Sequence, residues 1–80
     1  MSAIHLPADL FSAAHPGNPD PLQRYAALQV LWAMNPMDVG CRDLLVPGGK
    51  NSLPVPAEAD WPLVLEHRQR LEQQIKEINA

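Results

Sequence analysis

The chain has 80 residues, 46% of them apolar, with nine prolines, one cysteine and a formal net charge of -3. A chain this short buries only about 60% of the surface its unfolded form exposes, so a single small domain over residues 1–80 is the ceiling. Six basic against nine acidic side chains set the surface against nucleic-acid phosphates and anionic lipid, and Cys41 with the scattered His5, His15 and His67 makes neither an internal disulfide nor a zinc spacing.

Proline marks the element boundaries. Residues 1–20 form a Pro-rich N-terminal segment in which Pro7 opens, and Pro16 closes, a gap from Ala8 to His15 that holds at most two helical turns. The turn-forming run from His15 to Asp20 leads into Asp20-Pro21, an N-cap followed by proline at the first helical position. A second helix is expected from Pro21 to Met34. After Arg24 it is apolar around nearly its whole circumference, broken only by Gln29, so it demands cover on several sides. It is either the central core helix or an interface helix, since the two differ only in what lies against the second face.

Asn35-Pro36 repeats the cap-and-proline device, and a short third helix is expected from Pro36 to about Leu45, with Gly40 in its middle. Residues 21–45 thereby resemble a helix-turn-helix pair. From about residue 46 to 59 three prolines, two glycines and the absence of any period predict a long irregular loop, docked in extended form through Leu53 and Val55. The last segment, 60–79, has Asp60 as expected N-cap and Pro62 in its first turn, and is built from strong helix formers. Val64, Arg68, Leu71, Ile75 and Ile78 follow a 4-3-4-3 spacing, the mark of a coiled-coil seam with one polar interruption. Glu66 with Arg70 and Glu72 with Lys76 are spaced as i,i+4 ion pairs. Three basic and six acidic side chains precede residue 61, and three of each follow it, so the acidity lies in the Pro-rich part. The expected fold class is mainly all-α, with three to four helices separated by Pro-rich loops and a C-terminal amphipathic helix.

The chemistry-bearing residues are sparse. Cys41 reads as a small core residue, although Arg42 beside it would favour a thiolate if the thiol were accessible. Asp38 and Asp43 point to different sides of a helix and make no acid/base dyad. Pro47-Gly-Gly-Lys-Asn-Ser52 lacks the glycine and the residue after lysine that a phosphate cradle requires, with Leu44 and Asn51 in those places. His67, on the polar side of the terminal helix, reads as solvated. The third helix carries Asp38 and Asp43 against one Arg42, a poor set for reading a DNA groove. No stretch approaches the roughly 20 apolar residues of a membrane span, and residues 1–9 lack the basic and apolar regions of a secretory signal, which makes a cytoplasmic location the expectation.

These readings converge on a small, acidic, helical, non-enzymatic interaction protein: an adaptor, inhibitor, assembly chaperone or accessory subunit. It is expected to dock apolar helical surface on a larger protein or on its own copy. The expected partner-binding residues are Val64, Arg68, Leu71, Ile75 and Ile78 of the terminal helix with Leu28 and Trp32 of the second. No catalytic residue, metal, cofactor, nucleic acid, membrane or small-molecule substrate is expected. An accessory subunit of an enzyme complex and a helix-turn-helix DNA-binding regulator are the alternatives, and the frequent Ala, Pro and Leu are compatible with a GC-rich bacterial or phage genome.

Overall fold

The computed structural model describes residues 5–37 and 39–80. Among the described residues four α-helices follow one another: α1 (Ala8–Ala14), α2 (Pro21–Met34), α3 (Val39–Leu45) and α4 (Trp61–Ile78), the last entered through a 3-10 turn at Glu58–Asp60. The described residues contain no strand, and the fold is all-α.

The corner between α1 and α2 is made by side chains that take up backbone groups left over at helix ends. His15, held extended by the proline after it, stops α1. Asn18 then donates to the Ala13 carbonyl at 2.7 Å and to Gln23 Oε1 at 2.9 Å, while its own Oδ1 accepts from the Asp20 N–H at 3.0 Å. Arg24 Nε donates to the Ala14 carbonyl at 3.2 Å. Asp20 Oδ1 accepts from the N–H groups of Leu22 and Gln23, both at 3.1 Å, and α2 begins at Pro21 as its sequence requires.

Two helix starts differ from expectation. Asn35 closes α2 instead of opening α3, because its N–H is taken by the Leu31 carbonyl at 2.9 Å, which continues the α2 ladder. Pro36 and Met37 form the turn that follows, α3 starts at Val39, and Gly40 lies in its first turn. Asp38 lies outside the described residues. Asp60 stands at the N-cap position of α4 but accepts no capping hydrogen bond. Its backbone is already helical, with φ -93° and ψ -11°, whereas a capping side chain reaches forward from an extended residue. The preceding 3-10 turn, closed by the Asp60 N–H on the Ala57 carbonyl at 2.8 Å, performs the entry.

Helix α2 lies at the centre and packs against α1, α3 and α4. Its buried residues divide between two clusters. Tyr25, Ala26 and Leu28 meet Cys41 and Leu45 of α3 and Val64 of α4. Ala27 and Val30 meet Leu10 and Ala13 of α1 and Leu71 of α4, with Leu6 and Ile75 packed alongside. The apolar circumference of α2 is thus covered by its own chain over most of its length, with exposed residues confined to Pro21 at its start and Trp32, Ala33 and Met34 at its end.

The loop at 46–59 is fastened at both the turn and the return. Ser52 Oγ accepts from the Gly49 N–H at 2.8 Å and donates to the Val46 carbonyl. Gly48 adopts φ +82°, a left-handed conformation that favours glycine, and a Cβ at Gly49 would come within 2.8 Å of Ser52 Oγ and force that hydroxyl to move. Leu53 returns to the core through its N–H on the Leu44 carbonyl at 2.8 Å. Val55, expected to dock as well, is exposed. At the other end of the molecule the Asn79 carboxamide grips the backbone of His5, accepting from its N–H at 2.9 Å and donating to its carbonyl at 2.8 Å.

The two acidic helix starts therefore predict different losses. Asp20→Ala should destabilise the fold by about 1 kcal/mol, while Asp60→Ala should stay within about 0.5 kcal/mol of the parent. Urea unfolding followed by circular dichroism checks the contrast, and equal losses at both positions would contradict the capping geometry.

Candidate functional site

The residues expected to bind a partner do not share one surface. Leu28, Val64 and Leu71 are 4%, 1% and 6% exposed, which makes them core residues with no face to offer. Ile75 is half-buried against the α1–α2 cluster. The seam spacing on α4 is therefore real, but the helix that fills it is α2 of the same chain, which the two clusters show meeting Val64 at one end and Leu71 at the other. Arg68 sits at the edge of the seam, its side chain 40% exposed. Trp32 and Ile78 remain exposed.

Apolar side chains outside the seam take over the outer surface. Trp61, Leu63 and Leu65 in the first turns of α4 are exposed, as is Met34 at the end of α2. The Trp61 ring is held in place by an edge-to-face contact with Tyr25, at 5.8 Å between centroids and 77° between planes. One shallow groove is lined by Trp61, Pro62, Leu65 and Arg68. A second, of about 210 Å³, lies between α2 and α4, with Val30, Ala33, Met34 and Ile75 as its apolar lining. Arg68 borders both. The sequence signal for this face was the surplus of large apolar residues at the start of α4, three positions that the 4-3-4-3 stripe does not use.

Charged neighbours also rearrange. Glu66 and Arg70 approach to 3.4 Å as their spacing implies, but Glu72 lies 3.9 Å from Arg68 Nε instead of pairing with Lys76. That distance exceeds hydrogen-bond reach, and the covered Arg68 Nε and Gln29 Oε1 find no hydrogen-bond partner among the described residues. His67 is not simply solvated: its Nε2 lies 3.8 Å from Asp20 Oδ2, linking α4 to the cap of α2.

Compared with models of known protein families, with characterised proteins and with solved structures, the chain matches none.

Other sites carry less chemistry. An open concavity of about 720 Å³ gathers Asp9, Ser12 and His15 of the α1 region with Gln74 of α4. His15 Nδ1 accepts from the Gly17 N–H at 2.9 Å, so the neutral ring carries its proton on Nε2 and presents a donor where a base would need a lone pair. The His15 N–H donates to the Ser12 carbonyl at 3.3 Å as the end of α1, and among the described residues no side-chain hydrogen bond joins Ser12, His15 and Asp9. Within those residues no three His, Cys, Asp or Glu side chains are grouped to hold a metal ion, and no helix is long and apolar enough to cross a membrane. The exposed face of α3 presents Val39, Arg42 and Asp43, one cation beside one anion.

Cys41 is buried among Tyr25, Leu28, Leu45 and Val64. Its thiol should react with a water-soluble disulfide reagent at the rate at which the chain opens, and Cys41→Ala should cost about 1–2 kcal/mol with helicity retained. Fast labelling of the native protein, timed against unfolding in urea, would instead make the thiol a surface group.

Proposed function

We propose that this chain is a non-enzymatic helical interaction module, an adaptor, inhibitor, assembly chaperone or accessory subunit that docks apolar helical surface on another protein. The observation that carries this reading is the exposed apolar face joined through Arg68, which runs from Trp61 and Leu65 on α4 to Ala33 and Met34 on α2. Large aromatic and aliphatic side chains exposed together mark contact surfaces.

The partner surface is the outer face of α4 together with the end of α2, and the inner stripe is structural. Two double variants separate these roles. Leu71→Asp with Ile75→Asp should unfold the chain, because it sets carboxylates against the α1–α2 cluster without mates. Trp61→Ser with Leu65→Ser should keep the helical circular-dichroism signal and lose the complexes that the parent protein forms in extracts of its native host, read by size-exclusion chromatography. Complexes that survive the second variant would exclude this face. Tight, salt-steep binding to duplex DNA would put the helix-turn-helix alternative in its place.

A further inference from the structure

We propose that the groove between α2 and α4 receives an amphipathic helix of a different protein, one that carries an aliphatic side chain and, one turn away, an Asp or Glu that pairs with Arg68. This deepens the interaction reading above and rests on it.

Three observations define the occupant. The concavity of about 210 Å³ lined by Val30, Ala33, Met34 and Ile75 is smaller than the roughly 300–1,000 Å³ of small-molecule pockets and suits the anchoring side chain of a helix laid between two others. Its charged border consists of Arg68, Glu72 and Lys76, one net positive charge on a chain of net charge -3. The groove is thus the opposite in sign to the molecule that bears it, and it selects an acidic ligand. Arg68 makes no hydrogen bond to Glu72, which stands 3.9 Å from its covered Nε, and its side chain stays 40% exposed, so the outer part of the guanidinium is left to a partner. A guanidinium fork in an apolar setting is built to take a carboxylate through two donors.

The same charges argue against a second copy of this chain. A two-fold interface centred on the groove would set its net positive border against an identical border. Along the groove, from Arg68 to Lys76, α4 presents about 12 Å of edge at 1.5 Å per residue, which matches about two turns of a partner helix with its acidic residue at the Arg68 end.

The test uses a displayed library of helix-forming peptides of about 16 residues on an Ala/Gln background, with aliphatic and charged positions randomised, selected against the full chain. Enriched peptides should pair Leu, Ile or Met with Asp or Glu three or four residues away. The best of them, synthesised, should bind Arg68→Gln about tenfold or more weakly, bind more weakly as salt rises, and fail to bind Ala33→Trp, whose ring fills the groove. Replacing the peptide's acidic residue by Lys should restore binding to Arg68→Glu. Helicity of each variant is recorded, and Lys76→Gln on the exposed rim should weaken binding in the same direction if either Arg68 variant does not fold.

Peptides without an acidic preference, indifferent to Arg68→Gln and Lys76→Gln but lost with Ala33→Trp, would overturn the acidic partner and leave the interaction module standing. Binding indifferent to Ala33→Trp as well would remove the groove. Self-association in sedimentation that Ala33→Trp abolishes would make a second copy the occupant and overturn the proposal. Failure of any peptide to enrich overturns it too. The module reading falls with it only if Trp61→Ser with Leu65→Ser also leaves the host complexes unchanged.

Discussion

The burial of α2 on three sides is the constraint on which the rest of this structure depends. Among the described residues this 14-residue helix is the element both long and apolar enough to serve as a common core, and α1, α3 and α4 all meet it. Ala26 and Ala27, both fully buried, make this possible, because small side chains at helix crossings let neighbouring backbones approach closely. Large residues on either side of the alanines, Tyr25 and Leu28 towards α3 and Val30 towards α1, then fill the space that the approach leaves. Helix α4 bridges the two clusters with Val64 at one and Leu71 at the other, so the terminal helix holds the two halves of the core together.

Short helices joined by prolines raise a second difficulty, since each helix end leaves backbone groups without partners and proline donates no hydrogen bond to relieve them. Single polar side chains resolve it at three corners. Asn18 satisfies the end of α1 and the start of α2, Ser52 folds the loop after α3 onto itself, and Asn79 joins the end of α4 to the backbone of His5. Each acts through two or more hydrogen bonds to backbone groups. The Pro-rich connections are therefore held in defined paths, with the one long loop returning to the core at Leu53.

The outer surface follows from the limited volume of that core. Once α2 is covered, no inner site remains for Trp61, Leu63 and Leu65, and the first turns of α4 carry them outward. Arg68 falls where the filled seam meets this outer face, at the border of two grooves. A polar interruption that looks, in one dimension, like a register device in a coiled coil becomes, in three dimensions, a cation placed at the entrance of an apolar groove.

Local chemistry determined the helices. Asp20-Pro21 and the residues after them specify α2 to the residue, the gap between Pro7 and Pro16 bounds α1, and the helix-forming composition after Pro62 specifies α4, because propensity, capping and proline geometry act within a few positions. The start of α3 was not legible, since Asn35 suits the end of one helix as well as the beginning of the next and the choice lies in which carbonyl its N–H meets. The capping role of Asp60 was likewise decided by the 3-10 turn before it. The seam on α4 was visible as a period, yet a period records only that one face is apolar, not which surface lies against it. Whether Val64 and Leu71 pack inward or outward depends on contacts with residues 19 to 61 positions away in the chain. Only the tertiary structure brings these together, and by using up the seam it leaves the docking role to Trp61, Leu65 and the edge of Arg68.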